Sequence, residues 1–352
     1  MIKEVNTLVI GAGQAGLATA YYLQQSQIDF VVWERCARVG EQWRARFDGL
    51  TLFTPNSLNK LPGGQKPQSV GRFQTKDEFA DYLETYAKTQ GFPIAFNQDV
   101  SKISNRKDGK FDVKSDTQHL IVKHIVLASG AFKDVVVPSI TVPESIEQYT
   151  VNQLQGKKIQ GQRVLVVGDG ATGRQLAKIL ASNNSVTLAQ GKSRHLIRES
   201  FLGLNTFYLL KMLGLLRLPK RFALAKWLKS RDPFPDTGIN NAALDKAGIS
   251  RVSRLIDLAN GARFRDGSQV EVELIIWATG YLNCYDFIEV PELLNQRGEI
   301  NLKRAEQANF LTVGMAWQTC RASGLVYGAP YDARAVVKKI LVKERLEAVC
   351  KP

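Results

Sequence analysis

An apolar, β-branched run over residues 5–10 opens directly into Gly11-Ala12-Gly13-Gln14-Ala15-Gly16, and this junction constrains the chain more than any other. Helical spacing follows over residues 17–25, then a second strand run, Phe30–Trp33, which stops at Glu34. The pattern is a β-α-β unit with the glycine spacing of a dinucleotide site. Gly11 permits the tight turn, Gly13 lets a pyrophosphate approach the backbone, and Gly16 lets the helix pack close to the strand. Gln14 and Ala15 lie at the helix start, where free N–H groups and the positive dipole end face phosphate oxygens. Glu34, 23 residues after Gly11, stands where an acid accepts hydrogen bonds from ribose hydroxyls.

The plan recurs. Arg163–Val167 reads as a strand, Gly168-Asp169-Gly170-Ala171-Thr172-Gly173 follows, and a helix to about residue 180 precedes a strand at Ser185–Ala189. Here the acid is replaced: Gln190 stands 22 residues after Gly168, followed by Lys192, Ser193 and Arg194. Two cations and a hydroxyl without a carboxylate suit a ribose 2′-phosphate and favour NADPH over NADH, the bland alternative being ordinary exposed loop charges. Arg174, in the first turn of the second helix, is placed to pair with the nucleotide phosphates. Each copy also ends alike, one in Ala128-Ser129-Gly130 and the other in Ala278-Thr279-Gly280. Gly11 to Gly130 spans 119 residues and Gly168 to Gly280 spans 112, so the chain is an internal repeat with two nucleotide sites.

A length of 352 residues accommodates two such domains. The net charge of +14 is spread along the chain without a zinc-finger or RNA-binding motif. It therefore reads as a solvated basic surface, with attraction of anionic cofactors next and nucleic acid not expected as a partner. Cys36, Cys284, Cys320 and Cys350 form no C-x-x-C pair, which argues against structural zinc and a dithiol centre and suits a reducing compartment. His119, His124 and His195 lack metal-ligand spacing, so no metal is expected. Met1-Ile2-Lys3-Glu4 lead straight into a strand pattern without a signal peptide, and a cytoplasmic location is expected. The longest apolar stretch, residues 201–216, is interrupted by Asn205, Thr206 and Lys211. A membrane-spanning helix needs ~20 apolar residues. A buried or lid helix is the expectation, a surface-lying membrane helix the alternative.

These features, with several further stretches, resemble the class B flavoprotein monooxygenases, a group of two-dinucleotide-binding flavoproteins, and within them the flavin-containing monooxygenase branch with its YUCCA-type enzymes. The resemblance covers nearly the whole chain. It is carried by Gly40-Glu41-Gln42-Trp43, by Asp48-Gly49-Leu50-Thr51-Leu52-Phe53-Thr54-Pro55, by the helical run from Lys76 through Tyr86-Ala87, by Ile276-Trp277-Ala278-Thr279-Gly280-Tyr281, and by Gly324-Leu325-Val326-Tyr327-Gly328-Ala329 with Asp332-Ala333. One signature departs. In the family's F-x-G-x-x-x-H-x-x-x-Y or -W pattern, counted back from Tyr149, Ser145 replaces the histidine, Thr141 the glycine and Ser139 the phenylalanine. The departure bears on oxygen coupling, not on nucleotide binding.

The resemblance implies an α/β protein of two Rossmann-like doubly wound units. The FAD domain is expected at residues 1–155 plus 278–352, with the NADPH domain, residues 156–277, inserted in it. It implies FAD and NADPH as cofactors, reduction of flavin by NADPH, a flavin C4a-hydroperoxide, and oxygen transfer to a small-molecule substrate. Besides the glycine loops and Glu34, the implied cofactor contacts are Arg35, Gln42, Trp43, Val100, Ser129, Gly130, Thr279, Gly280 and Leu325. Asn56 is placed at the reactive edge of the flavin as the catalytic polar residue. Residues 201–218 are expected to roof a tunnel for an apolar or aromatic substrate. A homodimer is compatible with the reading. Two rivals stay open: an NADPH oxidoreductase that reduces a quinone or other small acceptor, and a non-catalytic redox-sensing flavoprotein.

Overall fold

The computed structural model describes residues 2–349 except 69–70, 193–194, 202 and 232. Among these residues two larger sheets form, of seven and five strands. In the first, Lys3–Ile10 lies between Phe30–Trp33 and His119–Leu127, and all three are parallel. Ile94–Ala95 extends one side; Phe111–Ser115 and Val100–Asn105 extend the other as antiparallel strands. Toward their C-terminal ends these strands are unbroken apolar runs, Leu8-Val9-Ile10, Val31-Val32-Trp33 and Ile125-Val126-Leu127, because helices or further strands cover both faces: Leu8, Val9, Val32 and Val126 are fully buried.

The second sheet is wholly parallel and repeats the first. Arg163–Val167 lies between Ser185–Ala189 and Leu274–Trp277. The register matches across the copies. Ile10 pairs with Trp33 and Leu127, and Val167 pairs with Ala189 and Trp277. In both units the three strands therefore end together beneath a glycine loop, where open α/β sheets bind ligands. The chain forms two Rossmann-like doubly wound units, as the sequence repeat predicts.

Strand pairing also shows how the chain passes between the units. After the second sheet, Phe310–Thr312 returns to the first and pairs with residues 125–127. The final helix, Ala329–Val349, then packs on Gln14–Gln25, burying Ala333, Val336, Val337 and Ile340 in the same core as Leu17, Ala18 and Leu23. Glu147–Thr150 lies upstream of the expected boundary at 155/156, yet it is the edge strand of the second sheet and pairs with Leu274–Trp277. Its sequence, Glu-Gln-Tyr-Thr, is too polar to announce a strand.

His119 and His124 lie in one strand, and the buried His124 meets Glu344 of the final helix at 2.7 Å. One further expectation changes. Residues 201–218 are not one helix. Ser200–Phe201 pairs antiparallel with Leu204–Asn205, and a short helix Thr206–Met212 and a 3-10 turn Leu215–Arg217 follow. Asn205 caps the helix through its side chain, and Gly214, at φ +69°, stops it. Among the described residues no helix is long and apolar enough to cross a membrane.

Candidate functional site

The two glycine loops repeat down to individual atoms. Gly11 has φ +102° and Gly168 φ +122°, a region open to glycine. A Cβ on Gly11 would stand 2.7 Å from the Ala128 carbonyl oxygen, and one on Gly168 would stand 2.2 Å from that of Ala278. A Cβ on Gly16 or Gly173 would lie 1.8 Å from the carbonyl oxygen of the first glycine of its own loop. Gly13 and Gly170 differ: an added Cβ meets no described atom within 4 Å. These two glycines are the N-caps of helices Gln14–Gln25 and Ala171–Leu180. Neither cap is satisfied by a side chain, and neither first turn holds an acid. Each loop thus presents unfilled N–H groups and a positive dipole end to open space, which fits an anionic diphosphate.

Around the first loop, Glu34 accepts the Ala12 N–H at 2.7 Å and the Cys36 N–H at 3.0 Å, so its carboxylate is fixed beside the glycines. The Gln98 N–H reaches the Glu34 carbonyl at 2.9 Å, drawing the start of the Val100–Asn105 strand to the same corner. Gln14 accepts from the Trp43 indole at 3.5 Å. Gln42 accepts from Arg35 and donates to the Phe132 carbonyl at 3.4 Å, joining helix Glu41–Arg44 to the segment after Ser129 and Gly130. That helix is pinned by Arg44, buried and bonded to Asp81 and Glu84 at 2.7 Å each. Gly314, at φ +85°, brings the returning chain against Ala15: a Cβ there would stand 2.7 Å from the Ala15 methyl. Leu325 packs with the cluster of Leu58, Phe207 and Cys320, next to Val326, which shares a core with Ala12 and Ala15.

The second loop corrects one assignment. Arg174 does not face open space. It is 2% exposed, paired with Asp169 (Nε to Oδ1 2.6 Å, Nη2 to Oδ2 3.1 Å), and donates to the Ile239 carbonyl and Asn241 at 3.0 Å each. Its guanidinium neutralises the acid inside the glycine loop and ties the loop to residues 239–241, so it is not free for phosphate. Lys192 is exposed at the end of the second strand, whereas Ser193 and Arg194 lie outside the described residues. The structure adds a cation that sequence spacing does not reveal: the exposed Arg254 brings Nη2 to 3.9 Å from the position a Cβ on Gly191 would occupy. It comes from the strand-to-strand connection after Ser250–Val252, a neighbour of Ser185–Ala189 in the sheet only.

Where the units meet, Tyr281 and Leu282 pair antiparallel with Val135 and Asp134, and Thr279 donates to the Val136 carbonyl. Arg46 occupies this junction. Its guanidinium lies 5.0 Å from the Phe132 ring centre and 5.2 Å from that of Tyr281. Arg46 is 8% exposed, and its buried Nη1 has no hydrogen-bond partner among the described residues. Burial raises the Tyr281 phenol pKa, and the Arg46 charge opposes that shift.

Asn56 begins the 3-10 turn Asn56–Leu58. Its amide donates to the Gly71 carbonyl at 3.0 Å, and its buried Oδ1 has no partner among the described residues. It lines a 610 Å³ cavity with Ser57, Arg72 and Tyr208. Tyr208 shares a 2.6 Å hydrogen bond with Ser57 and stands on helix Thr206–Met212, so the 201–218 segment does border this cavity. Tyr149, the remaining residue of the altered signature, bonds Glu147 beside the Lys157 ammonium. Among the described residues no cluster of metal-ligating side chains is present.

The model of the pyridine nucleotide-disulphide oxidoreductase family matches residues 8–200. The "uncharacterized oxidoreductase CzcO-like" of Geobacillus kaustophilus is 33% identical, over 96% of this chain and 98% of its own. The probable indole-3-pyruvate monooxygenase YUCCA9 of Arabidopsis thaliana is 28% identical, over 83% and 78%. A mutant flavin monooxygenase from Stenotrophomonas maltophilia has the same fold, with TM-score 0.79, 18% identity, and coverage of 97% of this chain and 99% of that one. The chain belongs to the pyridine nucleotide-disulphide oxidoreductase family. It is accordingly an oxidoreductase.

Proposed function

We propose that the protein is an FAD-containing, NADPH-dependent monooxygenase acting on a small apolar or aromatic molecule. FAD occupies the first glycine loop, in a domain made of the N-terminal part of the chain and the residues after 278; NADPH occupies the second. The observation that carries the reading is the pair of helix starts at Gly13 and Gly170 that no side chain caps and no side chain crowds, set in matched registers with the ends of both units joined at Arg46.

Bound flavin supplies hydride acceptance and oxygen activation. The chain's residues supply placement. Glu34 is held where it accepts from an adenosine ribose while keeping its bonds to Ala12 and Cys36. Gln42 and Trp43 stand on a helix fixed by Arg44, so they form a rigid wall for the ring system. Arg46 keeps a buried N–H without a partner among the described residues at the junction of the two units, where it could serve a cofactor acceptor atom. Asn56 offers a buried amide oxygen beside the cavity, which receives the substrate beneath Tyr208. Oxygen accounting tests the proposal. With a substrate present, NADPH oxidation yields oxygenated product with little peroxide; full conversion of NADPH into peroxide for every apolar or aromatic compound tried would favour the oxidoreductase alternative.

NADPH selectivity rests on Lys192 and Arg254, two exposed cations at the end of the strand where the first unit has Glu34. Charge-assisted bonds to a phosphate contribute about 1.5–3 kcal/mol each. Lys192→Glu with Arg254→Glu is expected to raise the KM for NADPH about a hundredfold and change that for NADH by less than about threefold. Equal effects on both nucleotides would remove the 2′-phosphate assignment.

A further inference from the structure

From Phe201 to Arg231 the chain carries seven cations and no acid. All seven are exposed, and among the described residues none is paired with a carboxylate. The same stretch exposes large apolar side chains: Met212 is 75% exposed, Leu213 68% and Trp227 54%, with Phe222 and Leu224 about half exposed. Scattered surface leucines need no explanation, but this concentration within one basic stretch does.

The segment is not loosely attached. Phe207, Leu216 and Ala225 are buried on its inner side. Pro219 bridges to Cys320, and the Lys220 N–H donates to the Thr319 carbonyl at 2.9 Å. Inward residues thus hold it against the C-terminal segment, and outward residues are left as a mixed apolar and cationic layer. Lys211 and Arg217 lie over the rings of Tyr327 and Tyr331. Helix Ala223–Arg231 continues the layer with Lys226, Trp227 and Lys229.

We propose that the exposed face of residues 201–231 docks this protein on an anionic lipid bilayer. Aliphatic and aromatic side chains enter the interface while lysines and arginines meet lipid phosphates, the composition of an interfacial rather than a spanning element. A second copy of the chain is the poorer occupant, because it would set seven cations against seven. Nucleic acid would satisfy the charges and leave Met212 and Leu213 in water. Docking here sets helix Thr206–Met212 between the bilayer and the cavity that Tyr208 lines, so an apolar substrate dissolved in lipid has a short route to it.

The test is cosedimentation of the flavin-loaded full chain with vesicles of phosphatidylcholine alone or mixed with phosphatidylglycerol. Binding is expected only to the anionic vesicles and is lost at high salt. Met212→Ser with Leu213→Ser, and separately Lys226→Gln with Lys229→Gln, are each expected to lower the partition at least about tenfold. Lys107→Gln with Lys114→Gln, an equal loss of exposed charge elsewhere, leaves it unchanged to within about twofold. Trp227 fluorescence shifts to the blue on binding, and Trp227→Phe removes that shift. Flavin absorbance confirms that each variant is folded. Failure to bind anionic vesicles, equal weakening by the control pair, or tighter binding to a single-stranded oligonucleotide than to vesicles would overturn the proposal. So would a dimer that the Met212 and Leu213 substitutions dissociate.

Discussion

Gly170→Ala is expected to yield a folded, yellow protein that NADPH no longer reduces efficiently. The backbone at Gly170 (φ −81°, ψ 179°) is one alanine adopts freely, and the added methyl meets no described atom within 4 Å. Alanine is a poorer N-cap than glycine, but it also restricts the unfolded chain; the two effects offset to within about 1 kcal/mol. The methyl enters only the space into which the diphosphate of NADPH must come. Losing two backbone contacts to a charged phosphate raises KM on the order of a hundredfold, while dithionite still reduces the flavin. Stopped-flow reduction at varied NADPH measures it. Unchanged NADPH saturation would show that the second glycine loop holds no nucleotide.

Gly13→Ala is the counterpart in the first unit, with the larger visible outcome. Its backbone (φ −76°, ψ −177°) and its open surroundings are the same, so the fold tolerates the methyl equally well. The expected product is a colourless apoprotein whose melting temperature matches that of native protein stripped of flavin, with flavin affinity lowered about a hundredfold. Gly16→Ala separates ligand approach from packing. Its methyl would stand 1.8 Å from the Gly11 carbonyl oxygen, so helix and strand must part, and stability falls even without flavin. If Gly13→Ala kept native flavin content and spectrum, the FAD assignment to this loop would be wrong.

The parts of the fold that announced themselves in the sequence were those governed by local chemistry. A strand must end, a glycine must turn and a helix must begin in fixed order, and those steps appear twice at nearly equal spacing. Residues whose role depends on distant partners were not legible. Arg174 looked like a phosphate ligand because it stands in a first helical turn; Asp169, five residues back, and the carbonyl of Ile239 hold it instead. Arg46 gave no signal, since Phe132 and Tyr281 follow the matching ends of the two units and lie far apart in the sequence. Arg254 reaches the Lys192 corner through sheet adjacency alone. The polar strand Glu147–Thr150 was hidden because its pairing comes from Leu274–Trp277, more than a hundred residues later. The apolar character of residues 201–218 was plain, but not their division into buried Phe207 and Leu216 and exposed Met212 and Leu213. That division depends on Asn205 and Gly214 limiting the helix to two turns.

The altered F-x-G-x-x-x-H signature makes the reaction with oxygen the decisive step. Ser145 is exposed in the connection leading into the Glu147–Thr150 strand, and no histidine stands there. The most direct measurement reduces the purified flavin-loaded protein anaerobically with NADPH, mixes it rapidly with oxygenated buffer and follows the flavin spectrum. A transient, blue-shifted absorbance that persists for seconds before the oxidised spectrum returns is the predicted result. Immediate return to the oxidised spectrum with stoichiometric peroxide would contradict oxygen transfer, and absence of any reduction by NADPH would contradict the two-nucleotide account itself.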